Sequence, residues 1–294
     1  METVSTAFGK ATLTLETGKL AKQANGSILV RYGDTVVLVA ATADKGSGVG
    51  ADFFPLSVHY VEKAYAAGRI PGGFFKREGR LSESETLTSR LIDRPLRPSF
   101  DENYLAETLI MATVLSSDQD NAPDIAAMIG ASAALCVSDI PFYQPIGGIR
   151  VGRINGEFVV NPTATELEES ELNIIMAASK DAILMVEGEA KEVSEEVMLD
   201  ALWFGQEQIQ PIIQIQEELM QRCGKPKREV AIPEIDEELR TKVTAISQPK
   251  LVKVLQITEK QERYQQLDAV VDEVLAEVFP EGSDPNNDDV GQAK

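Results

Sequence analysis

Residues 27–43 read SILVRYGDTVVLVAATA, and their pattern decides the fold. Two runs rich in β-branched residues flank Gly33-Asp34, the chemistry of a short hairpin turn. Upstream, ATLTLETGKLAK (residues 11–22) alternates about Thr17-Gly18, a second hairpin signal. Downstream, Phe53 to Glu62 reads as a further strand, so the first 65 residues predict antiparallel β-structure. Gly68, Pro71, Gly72 and Gly73 then break the pattern and open a loop.

Helical signals follow. In LSESETLTSRLIDRPLRP (residues 81–98), Ser82 and Glu85 form a capping box ahead of Leu87 and Leu91, and Pro95 is expected to stop the helix. A strand is expected over 109–115 and a polar loop over 116–121. Pro123 then suits the first turn of a helix reaching about Ser138. Its small residues, among them Ala126, Gly130 and Ala134, permit close packing on a sheet. Residues 148–162 read as a hairpin about Asn155-Gly156, residues 172–178 and 182–187 as a strand pair, and Ser194 to Arg222 as a long amphipathic helix. The fold class is therefore α+β. The expected domains are a mixed one over 1–223, a linker over 224–233, an incomplete all-helical domain over 234–280 and a disordered acidic tail over 281–294.

The chain has 294 residues, with 28 Lys plus Arg against 47 Asp plus Glu, a formal net charge of −19. That excludes an overall basic nucleic-acid binder; a polyanion partner must meet a local patch. Cys136 and Cys223 stand far apart without metal-ligand spacing, which argues against zinc sites and disulfide scaffolds. The polar start, Met1 to Lys10, and the lack of a membrane-length apolar run give the expectation of a soluble cytoplasmic protein with no membrane partner.

The charges are sorted along the chain. Segment 69–97 carries seven cations against four carboxylates, whereas 157–201 carries twelve carboxylates and two lysines. Within the basic segment, Phe74 and Phe75 lie in a glycine-flanked loop beside Lys76, Arg77 and Arg80. Aromatics interleaved with cations suit single-stranded nucleic acid, bases stacking on rings while phosphates meet the charges. The alternative is that both rings plug the loop onto the core. Arg90 and Arg94 are four apart on the helix, with Arg97 just beyond. They fit either a phosphate clamp or ion pairs with Asp93 and Glu85 on a solvated face. Asp118, Asp120 and Asp124 lack calcium-loop spacing, and Asp120 or Asn121 is the expected cap of the following helix. His59 is the single histidine, so a His-based triad has little to stand on.

At GGFFKREGR (72–80) and ETLTSRLIDRPLRPSF (85–100) the sequence strongly resembles the polynucleotide phosphorylase (polyribonucleotide nucleotidyltransferase) family of bacteria. The resemblance runs from about Phe8 to Phe279 and includes TVVLVAATA and DFFPLSVHYVEKAYAAG. It implies a ribonuclease-PH-like core followed by a helical domain, in a homotrimeric ring. It further implies phosphate-dependent 3′-to-5′ degradation of single-stranded RNA to nucleoside diphosphates, with inorganic phosphate as co-substrate, magnesium as cofactor and RNA-degradation complexes as partners.

By that resemblance Phe74, Phe75, Lys76, Arg77 and Arg80 match the family's aromatic RNA loop, while Arg90, Arg94 and Arg97 match arginines of the catalytic cleft. Lys76 stands where many members have Arg, keeping charge without the bidentate fork. The family's serine phosphate loop and metal-binding aspartates belong to a second core. The corresponding stretches here, Asp120 to Asp124 and residues 156–172, match neither, so no catalytic residue and no metal ligand is expected in this chain. The alternative for the chain by itself is a non-catalytic RNA-binding or assembly module.

Overall fold

The computed structural model describes residues 1–45, 53–74, 76–230 and 236–280. Two compact units divide the chain, Met1–Ala231 and Ile232–Lys294.

The first unit contains two sheets. Strands β1 (Glu2–Phe8), β2 (Ala11–Thr17), β3 (Gly26–Tyr32), β4 (Thr35–Ala43), β5 (Leu56–Glu62) and β6 (Thr108–Ser116) form one sheet in the order β1-β2-β3-β4-β6-β5. Its pairs are antiparallel except β5 with β6, which are parallel and connected through helix α1 (Glu83–Leu96). After α2 (Pro123–Val137), strands β7 (Gly147–Ile154), β8 (Glu157–Val160), β9 (Leu172–Ala178) and β10 (Ile183–Ala190) form the second sheet, ordered β10-β9-β7-β8. Helix α3 (Ala164–Glu169) links β8 to β9, and α4 (Glu195–Cys223) follows β10.

The Gly33-Asp34 hairpin forms as read, with Tyr32 opposite Thr35. The hairpin expected at Thr17-Gly18 does not. The tight turn falls one strand earlier, at Gly9-Lys10 between Phe8 and Ala11, and residues 18–25 make a longer connection to β3. Gly9 carries the positive φ such a turn demands, +58°. Helix α1 opens on the expected Ser82–Glu85 capping box but outlasts Pro95, ending at Leu96 and tightening into a single 3₁₀ turn. Near the C-terminal end a proline removes one hydrogen bond without breaking the helix already formed. Helix α3 was not anticipated, although Thr163 and Glu166 form a capping box of the same type.

Helix α2 is the centre of the unit: every residue from Ile125 to Val137 is buried. It packs on β3 and β4 at one side and on β7 and α4 at the other. Both approaches are close. A Cβ on Gly26 would lie 2.0 Å from the Ala134 carbonyl oxygen, and one on Gly148 would lie 2.5 Å from Met128 Sδ. The last-turn carbonyls of α2 are capped from residues read as linker. Lys227 Nζ donates to Leu135 O (2.8 Å), Cys136 O (3.0 Å) and Ser138 O (2.8 Å), and Arg228 pairs with Asp139 at 2.9 Å. Residues 225–228 are thus docked on the first unit, a cation supplying what the helix end lacks.

At its other end α2 starts from Ala122 with no side-chain cap, contrary to the Asp120 or Asn121 expected. Asp118 takes those groups first. Its carboxylate accepts from Asn121 N (2.8 Å), Asn121 Nδ2 (2.7 Å), Asp120 N (3.0 Å), Asp34 N (2.9 Å) and Thr35 Oγ1 (3.0 Å). This bolts the β3–β4 turn to the approach of α2.

The second unit contains α5 (Glu237–Val254) and α6 (Lys260–Val278), packed through Val254, Val270, Val274 and Val278. Asp236 caps α5, and Lys242 Nζ donates to Val278 O at the end of α6. The expected acidic tail, 281–294, and the last linker residues, 231–233, lie outside the described residues.

Partial burial pushes the Asp118 carboxyl up, but the hydrogen bonds from Asn121, Asp34 and Thr35 outweigh it and bring it down to about 2. Its folded pKa lies below its unfolded one, so the stabilisation is complete above about pH 4 and is lost as pH falls through 2. Asp118→Asn is expected to cost on the order of 2 kcal/mol at pH 7, with the gap to the parent closing between about pH 4 and pH 2. Urea unfolding across that range measures it; a pH-independent gap would contradict the role given to the carboxylate.

Candidate nucleic-acid interface

Strand β5 ends at Glu62, and Ala64–Ala67 form a 3₁₀ turn closed by Gly68, whose φ is +66°. The loop expected from the glycines and Pro71 then runs to Ser82, where α1 begins. Between these elements lies a cleft of about 810 Å³, lined by Tyr65, Arg69, Arg77 and Arg80 together with Glu62 and Glu85.

Phe74 is 93% exposed, so the core-plug alternative fails for this ring. Phe75 lies outside the described residues. Lys76, Arg77 and Arg80 are exposed, Lys76 with a left-handed backbone at φ +51°. Arg69, counted in the basic segment but not singled out as a site residue, joins them, and Tyr65 adds a second exposed ring at 59%. Arg69 and Tyr65 were legible only as composition, because nothing in local spacing announces that a 3₁₀ turn will fold back beside the loop.

The decisive feature is where the carboxylates go. Glu85 Oε1 accepts from Glu62 N (2.8 Å) and Oε2 from Ser82 N (2.6 Å). Burial pushes its carboxyl up, and those backbone donors more than compensate, leaving it below the usual range. Glu78 gives one oxygen to Lys63 Nζ (2.8 Å) and the other to Ala64 N (2.7 Å), and the lysine beside it holds its carboxyl low. Asp93 pairs with Arg97 at 2.9 Å. Three of the segment's four carboxylates are therefore committed. Among the described residues, the side chains of Arg69, Lys76, Arg77, Arg80 and Arg90 make no hydrogen bond or ion pair.

The helix arginines separate into three situations. Arg90 is exposed and unpaired among the described residues, which removes the Glu85 pairing as its explanation. Arg94 pairs with Glu187 on β10, both side chains more than half exposed. Arg97 is structural: besides Asp93 it donates to Phe54 O (2.9 Å) and Leu56 O (3.0 Å) and lies 5.8 Å from the Phe54 ring centre. The three do not converge on one open clamp.

Of the three aspartates considered for a metal, Asp118 is saturated and Asp124 pairs with Arg150 at 2.6 Å. No group of three or more His, Cys, Asp and Glu among the described residues could hold an ion. His59 is exposed on β5. Among the described residues no helix is long and apolar enough to cross a membrane.

Family models match three stretches. Residues 11–141 and 144–208 match domains 1 and 2 of the 3′ exoribonuclease family, and 238–293 match the polyribonucleotide nucleotidyltransferase RNA binding domain. The chain belongs to the 3′ exoribonuclease family, in its polyribonucleotide nucleotidyltransferase branch.

Polyribonucleotide nucleotidyltransferases of Geotalea uraniireducens and Geobacter sulfurreducens are 56% and 55% identical over 282 and 278 residues. That is 96% and 95% of this chain but 40% of each relative. The chain thus spans about two fifths of the curated relatives it matches. Rice (Oryza sativa) Rrp46 shares the fold, with a TM-score of 0.57 over 70% of this chain and 93% of that one at 17% identity. The split between family domains 1 and 2 falls between α2 and β7, so the second sheet is the second family domain. The stretch that matches the family's RNA binding domain contains the helices α5 and α6 of the second unit.

Arg97→Ala is expected to destabilise the first unit by about 1–3 kcal/mol, because two carbonyls at the start of β5 lose a charged donor. Arg90→Ala should change stability by no more than about 0.5 kcal/mol. Equal effects in urea unfolding would refute the division of labour drawn between them.

Proposed function

We propose that the chain forms part of a phosphate-dependent 3′-to-5′ exoribonuclease acting on single-stranded RNA, and that its share is RNA threading, ring assembly and cleft arginines. In that reaction an oxygen of inorganic phosphate attacks the terminal phosphodiester phosphorus. The shortened RNA leaves with its 3′ hydroxyl, and a nucleoside diphosphate is released. The observation that carries the reading is the set of cations around exposed Phe74, unpaired among the described residues, in a segment three of whose four carboxylates are occupied elsewhere. Bases stack on the ring while phosphates meet Lys76, Arg77 and Arg80, with Phe75 the second ring of the loop. Arg90 is the cleft arginine open to a phosphate. Arg94 reaches one by exchanging an exposed pair worth little in water, and Arg97 fixes the helix end that presents them.

Membership of the family supports the homotrimeric ring, the RNA-degradation partners and a cytoplasmic setting. Magnesium, which the resemblance implies, does not fit the described residues: Asp118 and Asp124 are committed, and no acidic cluster stands among them. No chemical step is assigned to a metal here. The same commitment favours the alternative reading for the chain alone, a non-catalytic RNA-binding or assembly module.

Phe74→Ala is expected to weaken binding of a poly(A) oligonucleotide by about 1–3 kcal/mol, the worth of one stacked base. Fluorescence anisotropy measures it, and unchanged affinity in a folded variant would withdraw the ring from the interface. The 294-residue chain, given poly(A), phosphate and magnesium, is expected to release no nucleoside diphosphate. Release abolished by Arg90→Ala in a folded chain would assign catalysis to this chain.

A further inference from the structure

Ala64 stands at the base of the RNA loop and uses both of its backbone groups to close it. Its carbonyl accepts from Arg69 N at 2.9 Å, and its N–H donates to Glu78 Oε1 at 2.7 Å. The other Glu78 oxygen accepts from Lys63 Nζ at 2.8 Å. Residues 69–78, which include Phe74, Lys76 and Arg77, are therefore pinned at both ends to one peptide position, the construction of a compact loop with adjacent ends. The two side chains are each about one third exposed, 33% and 36%, so their ion pair adds little to global stability. Its effect falls on the loop it closes.

Glu78 is also an anion among cations. If the loop met RNA by charge alone, this carboxylate would only repel phosphate. Its position calls for a different account. We propose that the Lys63–Glu78–Ala64 clasp is a positioning device, holding Phe74, Arg77 and Arg80 in the arrangement that engages single-stranded RNA. This rests on the RNA-binding reading above. Glu78 is a positioning residue that acts through the loop and not by touching RNA.

The two accounts predict opposite signs. Removing a carboxylate from an electrostatic surface tightens RNA binding; removing a clasp weakens it. Glu78→Ala is expected to raise the dissociation constant for a poly(A) oligonucleotide about tenfold, comparable with losing one stacked base, although the chain becomes less negative. Glu78→Gln, which keeps an acceptor for Ala64 N–H, should fall between the two. Affinity equal to or tighter than the parent in both variants overturns the clasp. The Phe74→Ala chain, measured alongside, separates the failures: if it weakens binding while the Glu78 variants do not, the RNA reading stands and the clasp falls. If Phe74→Ala is silent, the RNA reading itself falls. A second readout needs no RNA. Trypsin cleavage after Lys76, Arg77 and Arg80 should accelerate at least fivefold in Glu78→Ala at unchanged melting temperature, and unchanged cleavage rates also overturn the clasp.

Discussion

The structure depends on one constraint: helix α2 has no face for water. With Ile125 to Val137 all buried between two sheets and a second helix, its side chains are chosen for size more than for amphipathicity. Ala, Gly and Ser line much of it because β3 and β7 approach it closely, as at Gly26 and Gly148. A buried helix must also have its terminal polar groups satisfied by protein. At the C-terminal end three carbonyls take one ammonium, Lys227, from chain that would otherwise leave the unit. Burial drives that lysine below its usual range, yet its charge is the form that serves the helix end. At the N-terminal side Asp118 draws in the β3–β4 turn.

This arrangement also positions the candidate interface. With α2 fixing the sheet, β5 and β6 run parallel, and the connection between them must cross from one end to the other through α1. The chain between β5 and α1 thereby lies at the edge of the sheet, where the described residues between Arg69 and Leu81 are exposed but for half-buried Pro71. Glu85 and Glu78 then fasten the two sides of that excursion to β5 and to the 3₁₀ turn beyond it. Carboxylates that the composition would set against the arginines are used as backbone acceptors instead. A segment whose formal excess is only three positive charges consequently presents five cations unpaired among the described residues.

Much of this was legible in the sequence. The Gly33-Asp34 hairpin, the Ser82 capping box, the Asn155-Gly156 turn and the small-residue helix all announce themselves through local chemistry, and each forms. The aromatic-cationic loop was legible as chemistry, though not as geometry. What remained hidden is long-range competition. Asn121 reads as a helix cap until Asp118 claims it; residues 225–228 read as linker until α2 requires Lys227; and Glu85 reads as an arginine's partner until Glu62 N–H appears beside it. In each case a local preference was sound but another group, distant in sequence, was a better partner. Arg97 shows the same limit: no spacing rule reveals that the carbonyls of Phe54 and Leu56 lie within its reach.

The net charge of −19 acquires a different meaning in this setting. Screening confines an exposed charge to about 8–10 Å at physiological salt, so the chain's total is not what a bound phosphate senses. The Arg94–Glu187 pair shows where acid and base meet, as β10 brings the margin of the acidic segment directly against α1. On the loop side and at Arg90 cations are unpaired among the described residues, because Glu78 and Glu85 are committed to backbone donors. On the β10 side Glu187 and Glu189 stand in an exposed strand that would repel a phosphate backbone. Among the described residues, a polyanion approaching this border meets unpaired cations over the loop and at Arg90 in the middle of α1, whose first turn carries Glu83 and Glu85. On the proposed reading the acidic excess does not oppose RNA binding: it confines a polyanion to the surface where exposed Phe74 would stack, charge setting the place and the ring the contact.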